Sequence, residues 1–322
     1  PVDDHPDQRQ RLPAARRQRH RTNGCGALAL GTQVTEPAQQ QHFADRLALQ
    51  QVDRDIFTGW CHSGSPLRAY GGQIAAQSLM AAGRTIDQDN RRVHSLHGYF
   101  LRPGRTKDSI AYLVERPRDG RSFSTRIVRA VQHGETIFMM TASFATHDEG
   151  PEHQFQMPAL AGPDAVADFP VPRPTDLDGS EPEDLDYPDA HIIGLRIVEP
   201  DRAIPMSQGR FERMAWVRIN ERLPVDDLVQ SCALTYLSDL TMVSTALAPH
   251  VGMREDHDLQ LASIDHAMWF HGPCRADEWL LFAQDTPVAR GGHGLARGLF
   301  YDGDGRLVAS VVQESLMRTR KS

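Results

Sequence analysis

Apolar positions in this chain are organised in two matching halves. A nearly uncharged run, Gly72–Ala82, has no charged face and several small residues, and Asp227–Leu247 is likewise weakly charged. A helix covered on one side only would show a charged opposite face. Both runs therefore predict helices enclosed by other structure. Gly71-Gly72 ahead of the first run lets the backbone enter the helix in a conformation other residues avoid. Each helix is followed by a strand-like run containing His and aromatics, His94–Leu101 and Ser263–Phe270. Each half then closes on long β-like segments joined by turns at Asp119-Gly120, His133-Gly134 and Asp304-Gly305. The register repeats: Arg126 precedes Gly134 by eight residues and Ala142 by sixteen, as Arg297 precedes Gly305 and Gln313. A helix followed by antiparallel strands, used twice, predicts an α+β fold with a sheet wrapped around each helix. An ordinary buried helix in a generic α+β domain is the plainer alternative, which the repeat weakens.

Two stretches stand outside this pattern. Residues 1–41 are rich in Arg, Gln and Pro without apolar periodicity and read as a disordered N-terminal arm. Residues 148–205 hold ten of the 21 prolines with many Asp and Glu, the composition of an interdomain linker. The expected organisation is thus an arm (1–41), a first domain (42–147), a linker (148–205) and a second domain (206–322).

Bulk composition narrows the function classes. A net charge of -7 argues against a general nucleic-acid binder, which would carry a basic face. Basic residues are 33 Arg and 2 Lys, and a local patch for a phosphorylated ligand stays compatible with that. Cys25, Cys61, Cys232 and Cys274 lie far apart and form no CxxC pair, so neither a compact zinc site nor a disulfide scaffold is indicated. They point to a reducing, cytoplasmic compartment. The longest apolar-leaning run, 228–247, contains Ser, Thr, Gln and Asp and does not read as a membrane span.

Familiar catalytic signatures are missing from the sequence. His62-Ser-Gly-Ser-Pro66 lacks the flanks of a GxSxG elbow, and there is no P-loop, HExxH or dinucleotide fingerprint. Asp302-Gly-Asp-Gly305 reads as a hairpin turn rather than a calcium loop, because the spaced ligands and final Glu are missing. What remains is a set of polar residues in apolar settings. Between Asp227 and His250 the only charged side chain is Asp239. Burial of such a carboxylate raises its pKa and favours general-base sites. A Ser238-Asp239 pair that caps a kink is an equally good reading. Ser263 opens the second-half strand, Gln313 sits in the final strand Val311–Leu316, and His94 and His97 flank the matching first-half strand. Taken singly, each of these is an ordinary structural residue.

Together with their neighbours they carry a family resemblance. From about Phe43 to Arg318 the chain resembles the bacterial acyl-CoA thioesterase II family. The matching stretches are Tyr70-Gly-Gly-Gln73, Val93-His-Ser-Leu-His97, Tyr99-Phe-Leu-Arg-Pro-Gly104, Arg118-Asp-Gly-Arg-Ser-Phe123 and Met140-Thr-Ala-Ser-Phe144. Ser238-Asp-Leu240, Ile264-Asp-His-Ala-Met-Trp-Phe-His271 and Leu307–Glu314 follow in the same order. The resemblance implies a double hotdog fold and hydrolysis of fatty acyl-CoA to fatty acid and CoA, without metal or organic cofactor. It also implies a homo-oligomer acting in lipid metabolism, with acyl-CoA as its partner and no membrane insertion. The family's aspartate falls on Asp239, its hydroxyl residue on Ser263 and its glutamine on Gln313. The family often has Thr where this chain has Ser263, so the hydroxyl is kept while the rotamer-stiffening β-methyl is not. His94 is a secondary candidate, and Gly71, Gly72 and Gln73 are candidate oxyanion donors at a helix N-terminus. Two alternatives stay open: a hotdog enoyl-CoA hydratase and a non-catalytic acyl-CoA-binding protein. A hydratase usually needs a closely spaced Asp and His, and the next His in sequence after Asp239 is His250.

Overall fold

A computed structural model describes residues 42–61, 64–65, 68–87, 90–169, 191–198, 212–250 and 259–319. The expected arm 1–41 and much of the expected linker (170–190 and 199–205) lie outside the described residues, as do His62 and Pro66.

The first half runs α1 (Phe43–Leu47), β1 (Gln50–Asp53), β2 (Ile56–Gly59), the short pair β3 (Gly64–Ser65) and β4 (Arg68–Ala69), then α2 (Gly71–Gly83). Four long strands follow: β5 (Arg91–Phe100), β6 (Ile110–Asp119), β7 (Phe123–Gln132) and β8 (Glu135–Thr146). The second half begins with β9 (Ile193–Val198) and β10 (Glu212–Ile219) and continues with α3 (Asp227–Ser238) and α4 (Met242–Leu247). It closes on β11 (Leu259–Ser263), β12 (Asp265–Phe270), β13 (Leu280–Arg290), β14 (His293–Tyr301) and β15 (Leu307–Thr319). The long strands join in one antiparallel sheet, β1-β2-β6-β7-β8-β5-β12-β15-β14-β13-β10-β9, with β11 also on β15. The seam between the halves is β5 against β12, where Asp265 faces Tyr99 and Ala267 faces His97. This is the pair of helix-wrapped sheets that the sequence repeat predicts.

The helices are enclosed for the reason their composition indicates. In α2 every residue from Gly72 to Leu79 is buried, and the helix packs on β5 through β8. Its polar side chains are spent on carbonyls of the preceding chain. Gln73 and Gln77 both donate to the carbonyls of Arg46 and Trp60. Helix α3 packs beside α2, and α4 lies on β13, β14 and β15. The hairpins also follow the sequence: His133 (φ 51°) and Gly134 (φ 79°) turn between β7 and β8, and Gly291 and Gly292 between β13 and β14. Two consecutive positive φ values match the twist of the flanking strands. At the last hairpin, Asp302 accepts the N–H groups of Asp304 and Arg306 and pairs with the Arg306 guanidinium, the contacts of a turn.

Three local expectations differ from what is observed. The stretch 148–205 includes strand β9, paired with β10 from Ile193–Ile219 to Val198–Met214. Earlier in it, Met157, Leu160 and Val166 pack against Trp216, Leu281 and Tyr301, and Trp216 Nε1 donates to the Ala161 carbonyl at 3.0 Å. Its apolar residues are few and spaced by prolines, yet they suffice to dock on a sheet already formed. The helix expected over Asp227–Leu247 breaks at Asp239, and the strand expected over Ser263–Phe270 breaks at Ile264. Both breaks fall in the candidate site.

Candidate active site

Helix α3 ends at Ser238, whose Oγ turns back to lie 2.8 Å from the carbonyl of Thr235. Asp239 becomes the C-cap (φ -87°, ψ -9°), and the chain re-enters a helix only at Met242. The kink reading of Ser238-Asp239 therefore holds, and the same kink delivers the carboxylate to the start of α2. An added Cβ on Gly71 would lie 2.8 Å from Asp239 Oδ2 and 2.9 Å from the Phe100 ring. No side chain fits there. The Gly72 N–H bonds to the carboxylate, and Tyr70 locks the same corner by donating to the Tyr236 carbonyl at 2.7 Å.

The other residues arrive on strands. Ser263 is the last residue of β11, opposite Ser315 of β15. At Ile264 the ladder is interrupted, and Asp265 Oδ1 accepts the N–H of Glu314 at 2.7 Å. Two residues before Ser315 on the same strand, Gln313 turns inward, fully buried. Ser263 Oγ lies 3.3 Å from Asp239 Oδ1, and Gln313 Nε2 donates to Ser263 Oγ at 2.9 Å. Three residues from α3, β11 and β15 thus meet in one hydrogen-bonded group.

Electrostatics single out Asp239. Burial pushes its carboxyl above the ordinary aspartate range. The neighbouring His266 and hydrogen bonds from Gln313, Gly72 and Ser263 offset part of that shift. Arg68, on β4, comes close enough to feel the same charge, while its guanidinium donates to the Leu261 carbonyl at 2.7 Å. Burial lowers the Arg68 pKa, and the Asp239 charge opposes that change.

The remaining candidates separate. Gly71 and Gly72 face Asp239, as above. The Gln73 side chain points away, toward Arg46 and Trp60. His94 sits where the β5–β8 register shifts; it bonds Ser143 Oγ at 2.8 Å, packs edge-on to Phe123, and touches none of the trio. Burial lowers its pKa. His97 bonds Asp265 on the exposed face of the sheet. Two residues outside the candidate site set, His266 and Ser238, stand directly behind Gln313. His266 Nδ1 is 2.5 Å from Gln313 Oε1, and its Nε2 is 2.7 Å from Ser238 Oγ. The nearest hint was His266 itself, inside a run that otherwise alternates as a strand. Among the described residues no group of three or more His, Cys, Asp and Glu could hold a metal ion. None of their helices is long and apolar enough to cross a membrane.

A polar trio is thus held between a kinked helix and two strands of a double hotdog. Comparison with known proteins gives the family of the chain. Residues 202–316 match the family model described as acyl-CoA thioesterase, and residues 58–145 match the acyl-CoA thioesterase N-terminal domain. The chain is 38% identical over 284 residues to acyl-coenzyme A thioesterase 8 of Homo sapiens, covering 85% of this chain and 88% of that one. It is 36% identical over 274 residues to acyl-CoA thioesterase 2 of Haemophilus influenzae, covering 84% and 95%. Among solved structures, the acyl-CoA thioesterase II TesB2 from Mycobacterium marinum aligns with a TM-score of 0.71 and 42% identity, covering 87% of this chain and 98% of that one. This chain belongs to the acyl-CoA thioesterase II family.

Proposed function

We propose that this protein hydrolyses fatty acyl-CoA to the free fatty acid and CoA, with Asp239 activating the attacking water. The observation that carries this reading is the convergence of Asp239, Ser263 and Gln313 from three distant segments into one hydrogen-bonded group. A thioester carbonyl is electrophilic enough for an oriented water to attack directly. Asp239 takes the water proton, and its raised pKa brings it nearer the operating pH, where a general base works best. Ser263 and Gln313 hold the water through fixed hydrogen bonds. Positioning and base assistance of this kind contribute about 10²–10⁴-fold.

The α2 N-terminus supports the base rather than the oxyanion alone. The Gly72 N–H is spent on the Asp239 carboxylate, which fixes its orientation. Gly71 has no side chain to press on Asp239, so the helix backbone can lie directly against the carboxylate. The hydratase alternative needs a histidine free to work beside the aspartate. His266 is near Asp239, but both its ring nitrogens are engaged within the protein, by Gln313 and Ser238.

The test is to mix the protein with a chain-length series of acyl-CoA substrates and a thiol-reactive dye. Release of CoA at a rate that collapses in Asp239→Asn supports the reading. Hydration of an enoyl-CoA without CoA release would replace it with the hydratase, and binding alone would leave a non-catalytic acyl-CoA carrier.

A further inference from the structure

The hydrogen bonds behind Gln313 have a direction that the groups themselves dictate. An ionised carboxylate only accepts, so the Gln313 amide hydrogens face Ser263 and Asp239. The amide oxygen Oε1 is thereby turned the other way, 2.5 Å from Nδ1 of His266. An amide oxygen cannot donate, so Nδ1 must carry the hydrogen. On the far side of the ring, Nε2 lies 2.7 Å from Ser238 Oγ, whose other neighbours are the Thr235 carbonyl at 2.8 Å and Met268 Sδ at 3.2 Å. In a neutral ring, Ser238 donates to Nε2. In a charged ring, Nε2 donates to Ser238, and the Ser238 hydrogen goes to Thr235. Both forms leave the hydrogen on Nδ1.

We propose that His266 is a positioning residue for the reaction, fixing the Gln313 amide through Nδ1–H. The proposal rests on the reading of Gln313 as a water-holding residue. The chain of bonds runs from Ser238 through His266, Gln313 and Ser263 to Asp239. It starts and ends at adjacent residues of the α3 kink, so it ties β12 and β15 to the base. Ser238, His266 and Gln313 are all buried, with exposures of 0%, 1% and 0%. The Oε1 side of the amide is thereby closed to bulk solvent. Without the Nδ1 hydrogen, two acceptors would face each other, and the amide would gain by flipping. Its oxygen would then point at Ser263 and Asp239, and the donor that holds the site together would be gone.

Three substitutions at one position separate this role from packing. An Asn side-chain amide reaches about as far as Nδ1, a Gln amide about as far as Nε2, and Phe keeps the ring without either nitrogen. His266→Asn should hold kcat within about threefold of the unaltered protein. His266→Gln and His266→Phe should lose about ten- to a hundredfold in kcat with KM unchanged, the scale on which outer partners of metal ligands act. Thermal melts of each variant and Gln313→Ala as the reference complete the set. The proposal is overturned if the three His266 variants share one kcat, or if kcat simply follows Tm. When Gln313→Ala is impaired in that case, only the positioning role fails. Wild-type kcat in Gln313→Ala would remove Gln313 from the site and His266 with it.

Discussion

The two halves of the molecule use the same corner of the fold in opposite ways. In each, an inward group from a long strand reaches the residues just past a helix C-terminus. In the second half that residue is Asp239, met by the Gln313 amide. In the first it is Thr85, met by the buried Arg126 guanidinium. Arg126 is saturated: it also donates to the Arg118 and Thr125 carbonyls and to Asp119. The strand positions have exchanged their chemistry as well. Arg126 lies opposite Ala142, whereas the small Ala296 lies opposite Gln313. Leu96 pairs with Ala142, in the place where His266 meets Gln313. At the helix ends the contrast is steric. Gly71 leaves space for the Asp239 carboxylate, while the space beside Gly83 is filled by Leu228. One end of the helix pair sets a carboxylate against glycine backbone; the other sets a leucine side chain against it. Duplicating the fold supplies two equivalent corners, and a few side chains decide which one carries a carboxylate.

The largest effect expected on that contrast is from Asp239→Asn. Asn keeps the shape but cannot take a proton, so kcat should fall about 10²–10⁴-fold. Its effect on stability follows from the sign of the pKa shift. A carboxyl whose folded pKa is raised favours the fold below its unfolded pKa and loses that contribution as pH rises through the folded pKa. At neutral pH the charge is therefore a cost, and Tm of Asp239→Asn should stay level or rise. Loss of Tm alongside near-normal kcat would make Asp239 structural. The same shift predicts that kcat in the unaltered protein falls on the acid side with an apparent pKa above the ordinary aspartate range.

Next in size is Gly71→Ala. Its Cβ would press on both Asp239 Oδ2 and Phe100, and displacing a base by a fraction of an ångström costs on the order of tens-fold to a hundredfold in turnover. The matching change at the other corner, Gly83→Ala, would press only on the Leu228 side chain and should affect Tm rather than kcat. Equal losses of kcat in both would erase the distinction between the corners.

A smaller loss, about tenfold, is expected for Ser263→Ala, because the hydroxyl orients rather than abstracts. Ser263→Thr should match or exceed the unaltered protein, since the β-methyl restricts the rotamer. If Ala retains full kcat, Ser263 leaves the site. The smallest effect on turnover is expected for Arg126→Met. Removing a buried guanidinium from its carbonyls should destabilise by about 2–4 kcal/mol, yet kcat of the folded protein should be unchanged.

Much of this was legible in the sequence because the relevant signals are local. An isolated carboxylate in an uncharged run marks Asp239, and the glycines that open α2 mark the corner it enters. The doubled helix-and-strand pattern predicts the wrapped sheets. What escaped depends on register. Matching Arg126 to Arg297 is one residue off, since Arg126 is buried opposite Ala142 while Arg297 is exposed and paired with Asp285. The slip arises because the connection from β14 to β15, 302–306, is longer than the two-residue turn at His133-Gly134. Strand β9 is short and flanked by Pro-rich sequence, so its Ile193-Gly-Leu195-Arg-Ile197 alternation was absorbed into the linker. His266 was invisible as a site residue because its partners, Ser238 and Gln313, lie 28 and 47 residues away.

In the proposed mechanism, a water held by the second-half corner attacks the thioester without a covalent intermediate. Rapid quenching of a single turnover with radiolabelled acyl-CoA, followed by mass spectrometry of the intact and digested protein, addresses it directly. The expected result is labelled fatty acid and unmodified protein at every time point. An acyl adduct on Asp239, Ser263 or any other side chain, formed and consumed at the rate of turnover, would contradict it.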